Sequence, residues 1–221
     1  MISIACSGFP VPVSRYFHEL KAVEVSDTEL GIPGDGTLRR WLREAPEDFL
    51  FTVLAPKQIA DAGFVLTPEA EAGIAAIADF AKQLQSRAVV FSAPSEFVAS
   101  AKTRSALKNF VKHVVSQVPV PVLDCPGWSH EELLVVVGKA KVGVAFDPLM
   151  EQPKKLAPFT YLRLPGPSGY RSRYDARALD RVVSYCQSAK TKQLFVAFRN
   201  IDRFENARYV MAQLGIEQSN E

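Results

Sequence analysis

The stretch AVVFSAPSEFVASAKTRSALKNFVKHVVSQVPVPVL, residues 88–123, decides the fold. It opens on the β-branched run Ala88–Phe91 and closes on another, Val120–Leu123. Between them Leu107, Phe110, Val111, Val114 and Val115 recur at helical spacing. Strand, helix, strand is the building unit of an α/β fold. The same rhythm continues on both sides. Ile2–Cys6, Ala22–Ser26 and Phe51–Ala55 precede the stretch, and Val142–Phe146, Thr160–Leu164 and Gln193–Phe198 follow it. Eight strand candidates, mostly separated by helix candidates, predict a single (β/α)8 TIM-type barrel. In that fold chemistry sits where the strands end.

The helices carry their own punctuation. Thr67-Pro68 is a helix start, with Thr67 as cap and Pro68 in the first turn. Ile74, Ile77, Ala78, Ala81 and Leu84 then form an apolar stripe. Leu179, Val182, Val183 and Cys186 repeat it, as do Phe204, Ala207, Met211 and Leu214. Leu38, Trp41, Leu42 and Ala45 give a shorter version stopped by Pro46. Ser129 followed by Glu132 reads as a capping box. The five apolar residues Leu133–Val137 suit a buried strand equally well, but a strand candidate follows at Val142, which favours helix. After Phe146 the expected sixth helix is missing or reduced to a turn between Pro148, Pro153 and Pro158. One domain is expected over residues 1–217, with 218–221 frayed.

Charge is nearly balanced, 26 basic against 24 acidic residues, for a net +2. That argues against a nucleic-acid binder, which needs a basic excess. The three cysteines Cys6, Cys125 and Cys186 stand far apart, with no CxxC spacing. Neither a zinc site nor a disulfide framework is suggested. No membrane-length apolar run and no signal peptide is visible, so a soluble cytoplasmic protein is expected.

Reading each strand to its carboxyl end yields the polar candidates. These are Ser7, Glu24, Lys57, Asp124, Asp147, Arg163 and Asn200. Glu24 lies between Val23 and Val25, and by period two it faces away from both. Arg163, between Leu162 and Leu164, is its expected partner, either as a structural ion pair or as part of a binding site. The loop LPGPSGYRSRYD, Leu164–Asp175, offers the backbone N–H groups of Gly166, Ser168 and Gly169, with Arg171 and Arg173 for charge, as a phosphate cradle; a plain solvated loop is the alternative. His18, His113 and His130 fall in or beside predicted helices, and no HExxH or Cys/His cluster exists, so no metal site is assigned. Glu24, Asp124 and Asp147 are scattered acids, weak as a magnesium set. Cys125 is either an exposed thiol or an ordinary loop cysteine. No cofactor motif is present.

In order along the chain, IACSGFP, VEVSDTEL, Trp41, APEDFLFTVLAPKQI, FSAPSEF, YLRLPG, the pair Tyr170 and Tyr174, FRN and Asn206-Ala207 resemble the YecE-like family, domain of unknown function 72. The resemblance implies a TIM-type barrel and no assigned reaction. It implies a pocket holding Glu24, Arg163 and Asn200, with the two tyrosines nearby. The chain departs from the family at VLDCPGW, Val122–Trp128, where a Glu-Phe-Arg-His-Pro-Ser-Trp stretch is usual, and at Pro165, where a histidine is usual. Histidine acid–base chemistry is therefore in doubt. The expected ligand is a small anionic or sugar-like molecule. In an enzyme, a hydrolase or isomerase, Glu24 would be the base and Arg163 or Lys57 would hold the anion. The rival is a non-catalytic binding or protein-interaction scaffold.

Overall fold

The computed structural model describes residues 1–216; the expected frayed end, 218–221, lies outside them. Strands β1 (Ile2–Ser7), β2 (Ala22–Val25), β3 (Leu50–Leu54), β4 (Ala88–Ser92), β5 (Pro121–Asp124), β6 (Gly143–Phe146), β7 (Phe159–Leu164) and β8 (Gln193–Phe198) follow one another in chain order round a closed barrel. The helices are α1 (Val13–Glu19), α2 (Asp35–Glu44), α3 (Gln58–Asp61), α4 (Pro68–Gln83), α5 (Ala101–Val114), α6 (His130–Val137), α7 (Ala176–Ser188) and α8 (Arg203–Gln213). The predicted strands match to within two residues at their ends. Strands buried on both faces read as unbroken apolar runs, and β6 and β8 do so.

Two compact units divide the chain. The first comprises Met1–Glu24, Arg43–Leu50 and the chain from Phe146 on; the second comprises Val25–Leu42 and Phe51–Ala145.

In the second unit the decisive stretch folds as read. Phe110 of α5 meets Phe91 of β4 edge to face at 4.9 Å, and Phe64 packs on Phe110 at the same distance. Each such ring, fully buried, contributes about 1.5–3 kcal/mol. Thr67 caps α4 by accepting the Ala70 N–H at 3.2 Å. Ser129 and Glu132 form the reciprocal box at the start of α6. The box resolves Leu133–Val137 as helix: it satisfies the first-turn amides, and Gly138, at φ +56°, follows the last turn. Leu42 does not join the α2 stripe; it is exposed, leaving Leu38 and Trp41 inside.

In the first unit Tyr16 of α1 is fully buried. Its hydroxyl accepts the Cys6 N–H at 2.9 Å and donates to the Ala22 carbonyl at 2.8 Å, pinning β1 to β2. Asp175 caps α7 by accepting the Ala178 N–H at 2.7 Å. Between β6 and β7 the chain forms no helix, as expected where three prolines lack the N–H that a helix needs. Among the described residues no helix is long and apolar enough to cross a membrane.

Candidate functional site

Four neighbouring strands of the first unit, in the order β7, β8, β1, β2, build the polar cluster. Glu24 is the penultimate residue of β2 and Arg163 the penultimate residue of β7. Two strands lie between them, so side chains that meet must reach across the barrel interior. They do meet. Arg163 Nε lies 3.0 Å from Glu24 Oε2, and Nη2 donates to Oε1 at 3.1 Å. Both side chains are buried, 3% and 0% exposed. Tyr161, two residues before Arg163 and on the same face of β7, donates its hydroxyl to Glu24 Oε2 at 2.9 Å. Its ring stacks on Phe195 of β8 at 4.9 Å.

This arrangement restricts what Glu24 can do. Both carboxylate oxygens accept charge-assisted or phenolic hydrogen bonds. A general base needs an oxygen turned toward substrate. Glu24 instead holds the Arg163 guanidinium through the charge-assisted Nη2 hydrogen bond and the close Nε contact. Sequence reasoning passed over Tyr161 because an aromatic residue in a strand reads as core. The signal was its spacing, two residues from Arg163.

Ser7 ends β1 in register with Glu24 and is nearly buried. Alternation sets it on the same face as Ala5, and its register with Glu24 turns that face inward. Asn200, just after β8, is fully buried, and its amide is engaged twice. Nδ2 donates to the Ser172 carbonyl at 3.3 Å, and Oδ1 accepts from Asn206 at 3.0 Å. It braces the loop after β7 against α8.

That loop closes on itself. Gly169 N–H donates to the Gly166 carbonyl, Ser168 N–H to Ser172 Oγ, and Gly166 N–H to the Tyr174 hydroxyl. The amides read as a phosphate cradle are thus occupied within the loop. Arg171 folds over the exposed Tyr170 ring, its guanidinium 5.4 Å from the centroid, and Arg173 pairs with Asp202.

The remaining candidates belong to the second unit. Lys57 is exposed at the start of α3, with its backbone N–H on the Glu29 carbonyl. Asp124, half-buried at the end of β5, accepts the Ser92 hydroxyl at 2.7 Å. Cys125 is buried rather than exposed, and burial pushes its thiol well above the usual range. Burial likewise pushes Cys6 and Cys186 up to about 12, so none of the three is a ready nucleophile at neutral pH. The histidines lie in α1, α5 and α6. Among the described residues no three His, Cys, Asp or Glu side chains gather in an arrangement that could hold a metal. An open groove of about 500 Å³ lies between α7 and α8, lined by Ala176, Leu179, Glu205, Asn206, Arg208 and Tyr209.

Solved structures share this architecture over nearly the full length. A DUF72 family protein of Enterococcus faecalis superposes with a TM-score of 0.77 at 18% identity, covering 99% of this chain and 97% of that one. One from Thermotoga maritima gives 0.73 at 17% identity, covering 97% and 99%. A family 2 AP endonuclease of Brucella melitensis gives 0.62 at 12% identity, covering 99% of each. At such identities the likeness establishes the fold. No curated protein matches the chain in sequence. The family described as "Protein of unknown function DUF72" matches residues 12–221. With the barrel and nearly the whole chain in agreement, the chain is a member of the DUF72 family.

Proposed function

We propose that this barrel binds a small anionic or sugar-like molecule at the carboxyl ends of its strands, with Arg163 as the fixed polar floor of the site. One observation carries the reading. A buried Arg163–Glu24 ion pair, joined by one Nη2–Oε1 hydrogen bond and with the Tyr161 hydroxyl as a second donor, sits one residue from the ends of β2 and β7. Such a pair gives little net stability over apolar residues of similar volume. Its value lies in holding charge and geometry at the end of the barrel where this fold places its sites. Glu24 is a positioning residue in this reading, and turnover with Glu24 as base is set aside.

The test is thermal unfolding with sugars, sugar phosphates, nucleotides and carboxylates. The comparison is a charge-free variant combining Glu24→Leu, Tyr161→Phe and Arg163→Met. A ligand at about a hundred times its dissociation constant adds about 2.7 kcal/mol, a rise of about 5–11 °C in a domain this size. A rise in the wild type that disappears in the variant supports the reading. No rise with any compound refutes it.

A second reading, a protein-interaction scaffold, is favoured by a different observation. Met150, Tyr170 and Ile201, on the loops after β6, β7 and β8, are 85%, 63% and 49% exposed. Apolar side chains on three successive loops suit a partner surface, and their substitution by serine would then abolish partner capture while leaving ligand-induced shifts alone.

A further inference from the structure

Arg163 reaches Glu24 across two strands because the row between them is built of alanines. The register sets Arg163 of β7 beside Ala197 of β8, Ala197 beside Ala5 of β1, and Ala5 beside Ala22 of β2. Arg163 turns inward to meet Glu24, so Ala197 and Ala5 share that inner face. Both intervening side chains are methyl groups, which leave the guanidinium room to cross.

One layer nearer the strand ends, the next residues on this face are Arg199 and Ser7. The Arg199 N–H bonds the Leu164 carbonyl at 2.9 Å, which continues the β7–β8 ladder past Phe198. Arg199 therefore keeps to the inner face with Ala197. Its neighbour Asn200 turns the other way, to Asn206 of α8. Arg199 is half-buried, so solvent reaches this layer. Ser7, in register with Glu24, is 8% exposed, and no hydrogen bond joins its hydroxyl to a described residue. A hydroxyl so deeply buried is ordinarily satisfied. The residues that β7, β8, β1 and β2 turn inward here hold two arginines, Arg163 and Arg199, and one carboxylate, Glu24. Asp147, after β6, bonds instead to the Leu149 N–H of its own loop.

A guanidinium fork matches the oxygens of a carboxylate or phosphate, and a serine hydroxyl donates to the same group. A positive inner face favours an anion over a neutral hydroxyl. We propose that Arg199 and Ser7 form a subsite over Ala5 and Ala197 that receives an oxyanion of the ligand, a carboxylate or phosphate group. This subsite rests on the ligand site proposed above and narrows its ligand class from anionic or sugar-like to anionic, with Arg163 as the floor beneath.

The test is isothermal titration calorimetry of the full chain with inorganic phosphate, D-ribose 5-phosphate and sodium malonate, and with D-ribose and myo-inositol as the neutral arm. The variants are Arg199→Gln, which removes the charge, and Ser7→Ala, which removes a single oxygen. Circular dichroism of each variant checks folding, and Arg199→Lys, which keeps the charge without the fork, replaces Arg199→Gln if that variant does not fold. The expected result is binding of at least one anion by the wild type, weakened about tenfold or more in each folded variant; the preferred anion then names the group as phosphate or carboxylate. An anion bound equally by the wild type and either folded variant overturns the subsite and leaves the ligand site standing. Neutral sugars bound without any anion overturn it in the same way. Nothing bound by the wild type overturns both.

Discussion

Removing the Arg163 charge tests the core of the site directly. Arg163→Met keeps most of the side-chain volume but strands the Glu24 carboxylate, which is fully buried and retains Tyr161 as its remaining described donor. Breaking a buried pair from one side costs about 3–5 kcal/mol, because the surviving charge is left without compensation. At about 2–4 °C per kcal/mol for a chain of this size, the midpoint should fall by about 6–20 °C. Removing the whole circuit is a different perturbation. Glu24→Leu and Arg163→Met together leave no buried charge, and Tyr161→Phe removes the hydroxyl that would otherwise lose its acceptor. The triple variant should recover most of the lost stability, and can exceed wild type. Thermal and urea unfolding followed by circular dichroism reads both. Arg163→Met costing under about 1 kcal/mol, or a triple variant no better than the single one, would show that the pair is not the desolvated, mutually dependent unit described here.

Tyr161→Phe alone should cost about 1.5–3 kcal/mol in urea unfolding, since its hydroxyl serves a charged acceptor while the stack on Phe195 survives. Gly166→Ala should destabilise by about 1–3 kcal/mol. At φ +101° the new Cβ is strained, and it lands 2.5 Å from Ser172 Oγ and closer still to the Gly169 carbonyl. Burial raises the Asp147 pKa, so its charged form is less favourable in the native state than in the unfolded chain; the contribution is full below the unfolded value and lost as pH rises through the folded one. Asp147→Asn should therefore raise the midpoint by about 1–4 °C near pH 7, and calorimetry near about pH 3, below both pKa values, should show that gain gone.

The barrel was legible because its signals are local. Periodicity marks the strands and helices, and caps such as Thr67 and Ser129 mark where helices start. The Glu24–Arg163 pair was legible for a related reason: a charge between two apolar neighbours in a strand must face the other way and must be compensated. What the sequence hides is how hydrogen-bonding capacity is distributed. Gly169 and Ser168 look like free amide donors until the turns at Gly166 and Gly169, both at positive φ, close the loop on itself. Asn200 looks like a pocket amide, but Asn206, six residues along in α8, takes up its oxygen. Those bonds depend on backbone angles and on contacts between distant elements, which composition does not encode.

The departure from the family pattern at Val122–Trp128 has a structural counterpart. Trp128 stacks on Phe97 at 5.7 Å, and Arg104 covers its ring while pairing with Glu132. Gly127 fits so closely under the Ser95 and Phe97 carbonyls that a Cβ would fall 2.6 and 2.8 Å from them. The segment, where the family resemblance leads one to expect an acid, an arginine and a histidine, is here a packed brace. No histidine of the described residues ends a strand. Two acids stand near the strand ends of the first unit, and they are not equivalent. Glu24 spends both oxygens on Arg163 and Tyr161, whereas Asp147 keeps one uncommitted and is held by burial above the ordinary aspartate range. Of the two, only Glu24 belongs to a buried pair that holds a geometry across the strands.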